Sequence, residues 1–185
     1  MPSVFLVSDT HFGHAGVCRF TRSDGVTKLR PWTDPAEMDE AMVQAWNERV
    51  KPTDKVYHLG DVVINRRALK TLERLNGDKV LIRGNHDIFP DTEYRKYFRE
   101  LRAYHVMNGM ILSHIPIHSD SLGRFGTNIH GHLHSTRVMN GSEIDARYHC
   151  VCVEQTPDFA PILFEDVIKR IQAEGGSIGF RNGNQ

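Results

Sequence analysis

Val4-Phe5-Leu6-Val7-Ser8-Asp9-Thr10-His11 is an apolar, β-branched run that stops on two side chains able to bind metal. The pattern recurs along the chain. Val56-Tyr57-His58-Leu59 runs into Gly60-Asp61, Val80-Leu81-Ile82 into Gly84-Asn85-His86-Asp87, and Ile111-Leu112 into Ser113-His114. A fifth polar block, Gly131-His132-Leu133-His134, ends the strand expected over 127–131. Short apolar runs bounded by glycine and polar residues read as strands, so the blocks fall at the ends of neighbouring strands. Mixed oxygen and imidazole donors suit a pair of borderline divalent ions.

Between the blocks the chain alternates strand and helix signals. The first strand covers 3–8. Asp34-Pro35-Ala36-Glu37 starts a helix, with an N-cap acid, proline at the first helical position and an acid facing the helix dipole. Met38, Met42, Ala45 and Trp46 recur at helical spacing as core packing and carry it to about Val50. A second strand covers 55–59. Asn65 caps a helix with Ala68, Leu69, Leu72 and Leu75 on its apolar face, closed by Asn76-Gly77. A third strand covers 79–82, and Pro90 to about Leu101 reads as a short charged helix. Asn108-Gly109 between apolar runs predicts a hairpin over 104–112. Strands follow over 127–131 and 148–154, then a helix burying Phe164, Val167, Ile168 and Ile171. This order implies an α/β (α+β) fold, a two-sheet β-sandwich flanked by helices. Residues 1–174 form the single domain, and 175–185 have the composition of a flexible C-terminal tail.

With 185 residues, 39% of them hydrophobic, the chain can bury a full core. Lys plus Arg and Asp plus Glu are both 23, whereas a protein held by duplex phosphates carries a basic excess. Small nucleotides are therefore favoured over long nucleic acid as partners. Val4–Val7 is too short for a signal sequence, and no run approaches the ~18 apolar residues that cross a bilayer. Cys18, Cys150 and Cys152 read as reduced thiols, so a cytoplasmic protein without a membrane partner is expected.

Asp9 and His11 are two apart and share a face if extended, as do His132 and His134. The same alternation puts His130 on the latter face, in competition with His132. Asp61 has no charged neighbour and can offer one oxygen to each of two ions, while Asn85 offers a neutral carbonyl oxygen. One such residue alone would be a strand-end cap, but five blocks together ask for more. His14 on a glycine turn, His118 after Pro116 and Arg124 in the Gly123–Gly126 loop are expected to line a substrate pocket. Arg19, Arg22, Lys28 and Arg30 are further cations available to phosphate, and His58 reads as a satisfied core residue.

The set Asp9-x-His11, Gly60-Asp61, Gly84-Asn85-His86-Asp87, His114 and Gly131-His132-x-His134 resembles the calcineurin-like metallophosphoesterases, in the family's order and over about residues 3–174. The block from Ser8 to His14 is similar to a small single-domain bacterial and phage branch. The resemblance implies a dinuclear centre, with Asp9, His11 and His134 on one ion and Asn85, His114 and His132 on the other. Asp61 bridges them, and a water shared by the ions attacks phosphorus. His86 contacts the phosphate and acts as general acid, with Asp87 orienting its imidazole.

The expected function is thus hydrolysis of phosphate esters, with nucleotide or cyclic-nucleotide phosphodiesters ahead of monoesters. A phosphomonoesterase and a small nuclease are the alternatives. A non-catalytic interaction platform would lack ligands or the acid, yet every motif position is filled. A structural zinc protein would favour closed, cysteine-rich sites, and the cysteines lie outside the motifs. Mn²⁺ is the favoured ion pair, with Fe, Zn, Ni or Co compatible with the same donors.

Overall fold

A computed structural model describes residues 2–180 of the chain. In chain order the elements are β1 (Val4–Val7), α1 (Pro35–Arg49), β2 (Lys55–His58), a 3₁₀ segment (Arg66–Arg74), β3 (Asp78–Ile82), α2 (Asp91–Tyr94) and β4 (Glu100–Arg102). Then come β5 (His105–Met107), β6 (Met110–Ser113), α3 (Ser119–Leu122), β7 (Asn128–His130), β8 (Met139–Asn140), β9 (Glu143–Ile144), β10 (Tyr148–Cys150), β11 (Ile162–Leu163) and α4 (Phe164–Ala173).

One sheet has the order β11-β1-β2-β3-β4 and the second β10-β7-β6-β5, while β8 and β9 pair as a separate ribbon. Strands β1 to β4 are mutually parallel, as are β6, β7 and β10. Side-chain alternation splits the core in two. Phe5 and Val7 pack with Met38, Met42, Val43 and Trp46 of α1 and with Ala68, Leu69 and Leu72 of the 3₁₀ segment. Leu6, Tyr57, Val80 and Ile82 face the other way, onto Met110, Leu112 and Ile129 of the second sheet and onto Val167 and Ile171 of α4. Each such fully buried side chain contributes about 1.5–3 kcal/mol over leaving it in water. Parallel pairing brings the carboxyl ends of β1, β2 and β3 to one edge, and β6 and β7 deliver their own ends beside it.

Helix α1 starts as expected, with the Asp34 side chain accepting from the Ala36 N–H. Asn65 caps its segment in the same way, through the Ala68 N–H, but that segment winds as 3₁₀. Asn108 (φ 51°) and Gly109 (φ 74°) make the tight turn between β5 and β6. The charged helix expected over 90–101 shrinks to α2, and its end becomes β4, an edge strand beside β3. Charged residues suit such an edge, because they discourage pairing with another chain. The strand expected over 148–154 stops at Cys150 and turns through a 3₁₀ segment at Val153–Gln155. Of the tail, 181–185 lie outside the described residues. Before them, the Thr127 hydroxyl donates to the Ser177 carbonyl (2.7 Å), and Phe180 bridges to Phe125.

Candidate metal centre

The structure gathers the motif residues into two clusters at the strand ends. Asp9, His11 and His134 form one and Asp61, His114 and His132 the other, each with donor atoms within 4.8 Å of one another. Asn85 joins the second, its Oδ1 2.9 Å from His114 Nε2. Asp9, His11, Asp61, His132 and His134 all have positive φ, between 49° and 69°. Non-glycine residues enter the left-handed region only where the surroundings enforce it, and such residues concentrate at functional sites. The extended geometry expected for Asp9-x-His11 and His132-x-His134 is therefore replaced by left-handed turns. The same turns free His132 from the alternation that would have let His130 compete. His130 stays inside β7, buried, its Nδ1 2.7 Å from the Gly131 carbonyl.

The oxygens of Asp9 are used unequally. Oδ2 accepts from Ser8 Oγ, Cys152 Sγ (3.1 Å) and the His132 N–H (2.8 Å), whereas buried Oδ1 has no hydrogen-bond partner among the described residues. Oδ1 lies 3.6 Å from His11 Nε2 and 3.8 Å from His134 Nε2. Those gaps are too long for hydrogen bonds and fit donors that share a cation, each at about 2.0–2.2 Å. Asp61 Oδ1 accepts the His86 N–H (2.8 Å), which leaves Oδ2 facing both clusters, 3.7 Å from His11 Nε2 and 3.5 Å from His114 Nε2. Oδ2 alone faces both clusters, where one oxygen for each was expected. In the second cluster His114 Nδ1 meets the Leu59 carbonyl at 2.7 Å, so it is the donor there. Nε2 faces the oxygens of Asn85 and Asp61: with a proton it donates to them, and without one it turns a lone pair to the place where a cation would meet all three.

The charges agree. Burial opposes ionisation of Asp9, but His11, His114 and His134 outweigh it and hold the carboxyl far below the usual carboxylate range. Burial likewise opposes the charge on Asp61, and the His114 hydrogen bond reverses the balance and lowers that carboxyl. Glycine is required where backbone approaches these donors. A Cβ at Gly84 would overlap Asp61 Oδ1 and N, and one at Gly131 would overlap Ser8 Oγ and Asp9 Oδ2.

Outside the donor sets the placements diverge. His86 is exposed, its ring centroid 5.6 Å from that of His11, at a cavity of about 300 Å³ lined also by His14, Val17 and Phe20. His14 sits there with its pKa pushed down to about 4, chiefly by burial and then by His11. Among the described residues no hydrogen bond joins the Asp87 carboxylate to the His86 ring, where one was expected. The buried Asp87 carboxylate accepts the backbone N–H groups of Asp61 (2.9 Å), Val62 (3.0 Å) and Gly84 (2.8 Å). His118 and Arg124 are not brought to the cavity. His118 caps α3 through the Asp120 N–H (3.3 Å), and Arg124 lies over the Phe180 ring (5.2 Å). Arg30, counted among the cations for phosphate, is buried and turned inward. His58 is a satisfied core residue, its Nδ1 accepting from the Gly60 N–H (3.2 Å) and its Nε2 meeting Thr10 Oγ1 at 3.0 Å. No helix among the described residues is long and apolar enough to cross a membrane.

A two-sheet sandwich carrying paired Asp/His clusters at its strand ends defines the class, and comparison with known proteins agrees. The sequence profile of the calcineurin-like phosphoesterases matches residues 2–168, and the chain belongs to that family. It is 32% identical over 179 residues to an uncharacterized protein from Methanocaldococcus jannaschii, covering 93% of each chain. It is 29% identical to the Gene 66 protein of Mycobacterium phage D29, covering 88% of this chain and 93% of that one. The crystal structure of a protein of unknown function from Aquifex aeolicus superposes with a TM-score of 0.64 at 25% identity, covering 92% of this chain and all of the other.

Proposed function

We propose that the chain is a dinuclear-metal phosphodiesterase acting on nucleotide-type esters. The observation that carries this reading is Asp61 Oδ2, which faces a nitrogen of each donor cluster, His11 Nε2 and His114 Nε2. Asp9, His11 and His134 would hold one divalent ion, Asn85, His114 and His132 the other, with Asp61 shared. Two divalent ions, when bound, neutralise phosphoryl charge and activate the attacking water.

The chain's own residues supply position and a proton. Water attacks phosphorus, the ester P–O bond breaks, and His86 at the exposed rim protonates the departing oxygen. The His86 N–H bond to Asp61 ties this acid to the shared carboxylate, which fixes its height above the cavity. His14 faces the same space. Val17 and the half-exposed Phe20 give that cavity an apolar wall beside the histidines, which suits the base of a nucleotide. Mn²⁺ is the ion proposed, on the mixed nitrogen and oxygen donors.

The test strips the protein with a chelator and restores one ion at a time, assaying paired diester and monoester substrates and then a nucleotide panel. Diester cleavage restored best by Mn²⁺ is expected; no cleavage with any ion would remove the enzymatic reading. His86→Ala should keep metal binding and lose about 10²–10⁴-fold in turnover. Unchanged turnover in that variant removes the proton-donor role.

A further inference from the structure

Two buried residues outside every motif block close the back of the first donor cluster. The Glu154 side chain is fully buried; its Oε1 accepts from Arg30 Nε (2.8 Å) and lies 2.7 Å from Arg30 Nη2 in an ion pair. The same oxygen lies 3.0 Å from His134 Nδ1. Arg30 is buried too, and it also donates from Nη1 to the Thr10 carbonyl (2.8 Å) and from Nη2 to the Asp9 carbonyl (2.6 Å). One guanidinium therefore grips the left-handed backbone of Asp9 and, through Glu154, the ring of His134.

The chemistry of that contact fixes a tautomer. A carboxylate paired with a guanidinium is ionised and can only accept, so the hydrogen of the contact sits on His134 Nδ1. Nε2 is left with a lone pair, and it points to the same space as the unpartnered Oδ1 of Asp9, 3.8 Å away. The second cluster is built differently, since His114 Nδ1 rests on a neutral backbone carbonyl. Stability alone is a weak reason for such a pair, because desolvating two charges offsets most of their attraction.

We propose that Glu154 and Arg30 are positioning residues of the first metal site, Glu154 by holding His134 with Nε2 free for the ion and Arg30 by holding Glu154 and the Asp9 backbone in place. The proposal rests on the metal-binding part of the functional reading above. Arg30 and His134 meet the same oxygen, so the substitution that tests it is Glu154→Leu, which keeps much of the side-chain volume and removes that oxygen. With nothing to take the hydrogen on Nδ1, the His134 hydrogen moves to Nε2 and blocks the ion.

The experiment titrates Mn²⁺ into the metal-free full chain and its Glu154→Leu variant by calorimetry, and reads histidine tautomers of both by long-range ¹H–¹⁵N spectra. The expected result is about 10–100-fold weaker binding at one site with the other unchanged, and a change of His134 from the Nδ1–H to the Nε2–H form. Equal weakening of both sites in step with a lower melting temperature, or no weakening, overturns the proposal. Should Glu154→Leu not fold, the tautomer in the unsubstituted metal-free chain decides: Nδ1–H supports the proposal and Nε2–H overturns it. A wild-type chain that binds no divalent ion would fail the functional reading itself, whereas two bound ions with an unaffected variant fail only this one.

Discussion

Asp87→Asn separates two roles for a residue that lies beside the proposed acid. In the structure the Asp87 carboxylate is 2% exposed and accepts three backbone N–H groups, those of Asp61 and Gly84 on Oδ2 and that of Val62 on Oδ1. Asparagine keeps the shape, but its amide oxygen serves only one side. With the oxygen kept on Asp61 and Gly84, the NH₂ meets the Val62 N–H donor to donor. One charge-assisted bond is lost, worth about 1.5–3 kcal/mol, and a buried donor is left unsatisfied. Together these put the loss at roughly 2–4 kcal/mol. For a chain of this size that lowers the melting temperature by roughly 5–15 °C.

Thermal unfolding of the metal-free variant, followed by circular dichroism, reads this directly. A parallel Mn²⁺ titration should show weakened binding, because the braced backbone carries Asp61. If Asp87 instead acted by orienting the His86 ring, the melting temperature and the affinity would match the parent and turnover alone would fall. That outcome would refute the bracing argument.

Gly84→Ala should abolish binding at the second cluster, since the new methyl overlaps the Asp61 carboxylate and backbone; full metal stoichiometry by elemental analysis would contradict it. His58 makes the metal-free chain acid-sensitive. Burial first, with His114 and His11 adding, outweighs Asp9 and Asp61 and lowers its pKa from 6.5 to about 3 in the folded chain. The unfolded chain therefore takes up the proton first as pH falls. The stabilisation is complete above pH 6.5 and is lost towards pH 3, with roughly 2–3 kcal/mol gone by about pH 4.5. Urea unfolding of the parent and His58→Gln across that range checks it, and equal pH slopes would refute it.

Much of the site was legible because metal chemistry restricts which residues can serve and strand ends restrict where they fall. Asp9, His11, Asp61, His114, His132 and His134 all reach the clusters. What the sequence did not carry was the backbone that aims them. An extended Asp9-x-His11 has both side chains on one face, and the two do meet, but by left-handed turns that no residue type announces. Glu154 lies 124 positions from Arg30, in a 3₁₀ turn that reads as the end of a strand. Its one local signal is a carboxylate closing the apolar run from Tyr148 to Val153. Edge strand β4 was hidden by the same charged residues that suit it to an edge, and β11 has only two residues to show.

Five left-handed donors imply a definite energetic design. Each non-glycine residue in that region costs about 1–2 kcal/mol, so the cradle carries several kcal/mol of strain. The restraints found around Asp9, Asp61 and His132 answer part of that strain. Arg30 holds the carbonyls of Asp9 and Thr10, the His132 N–H donates to Asp9, and Asp87 holds the N–H groups of Asp61 and Val62. These bonds fix the donors before any ion arrives, so binding need not order the loops and the affinity is not reduced by that entropy. The cost is borne by the fold, through a buried Arg30–Glu154 pair and a neutral buried His58 that a simpler core would omit. Substitution of His58 is accordingly expected to change stability with little effect on metal affinity, whereas substitutions of Arg30 or Glu154 should change both.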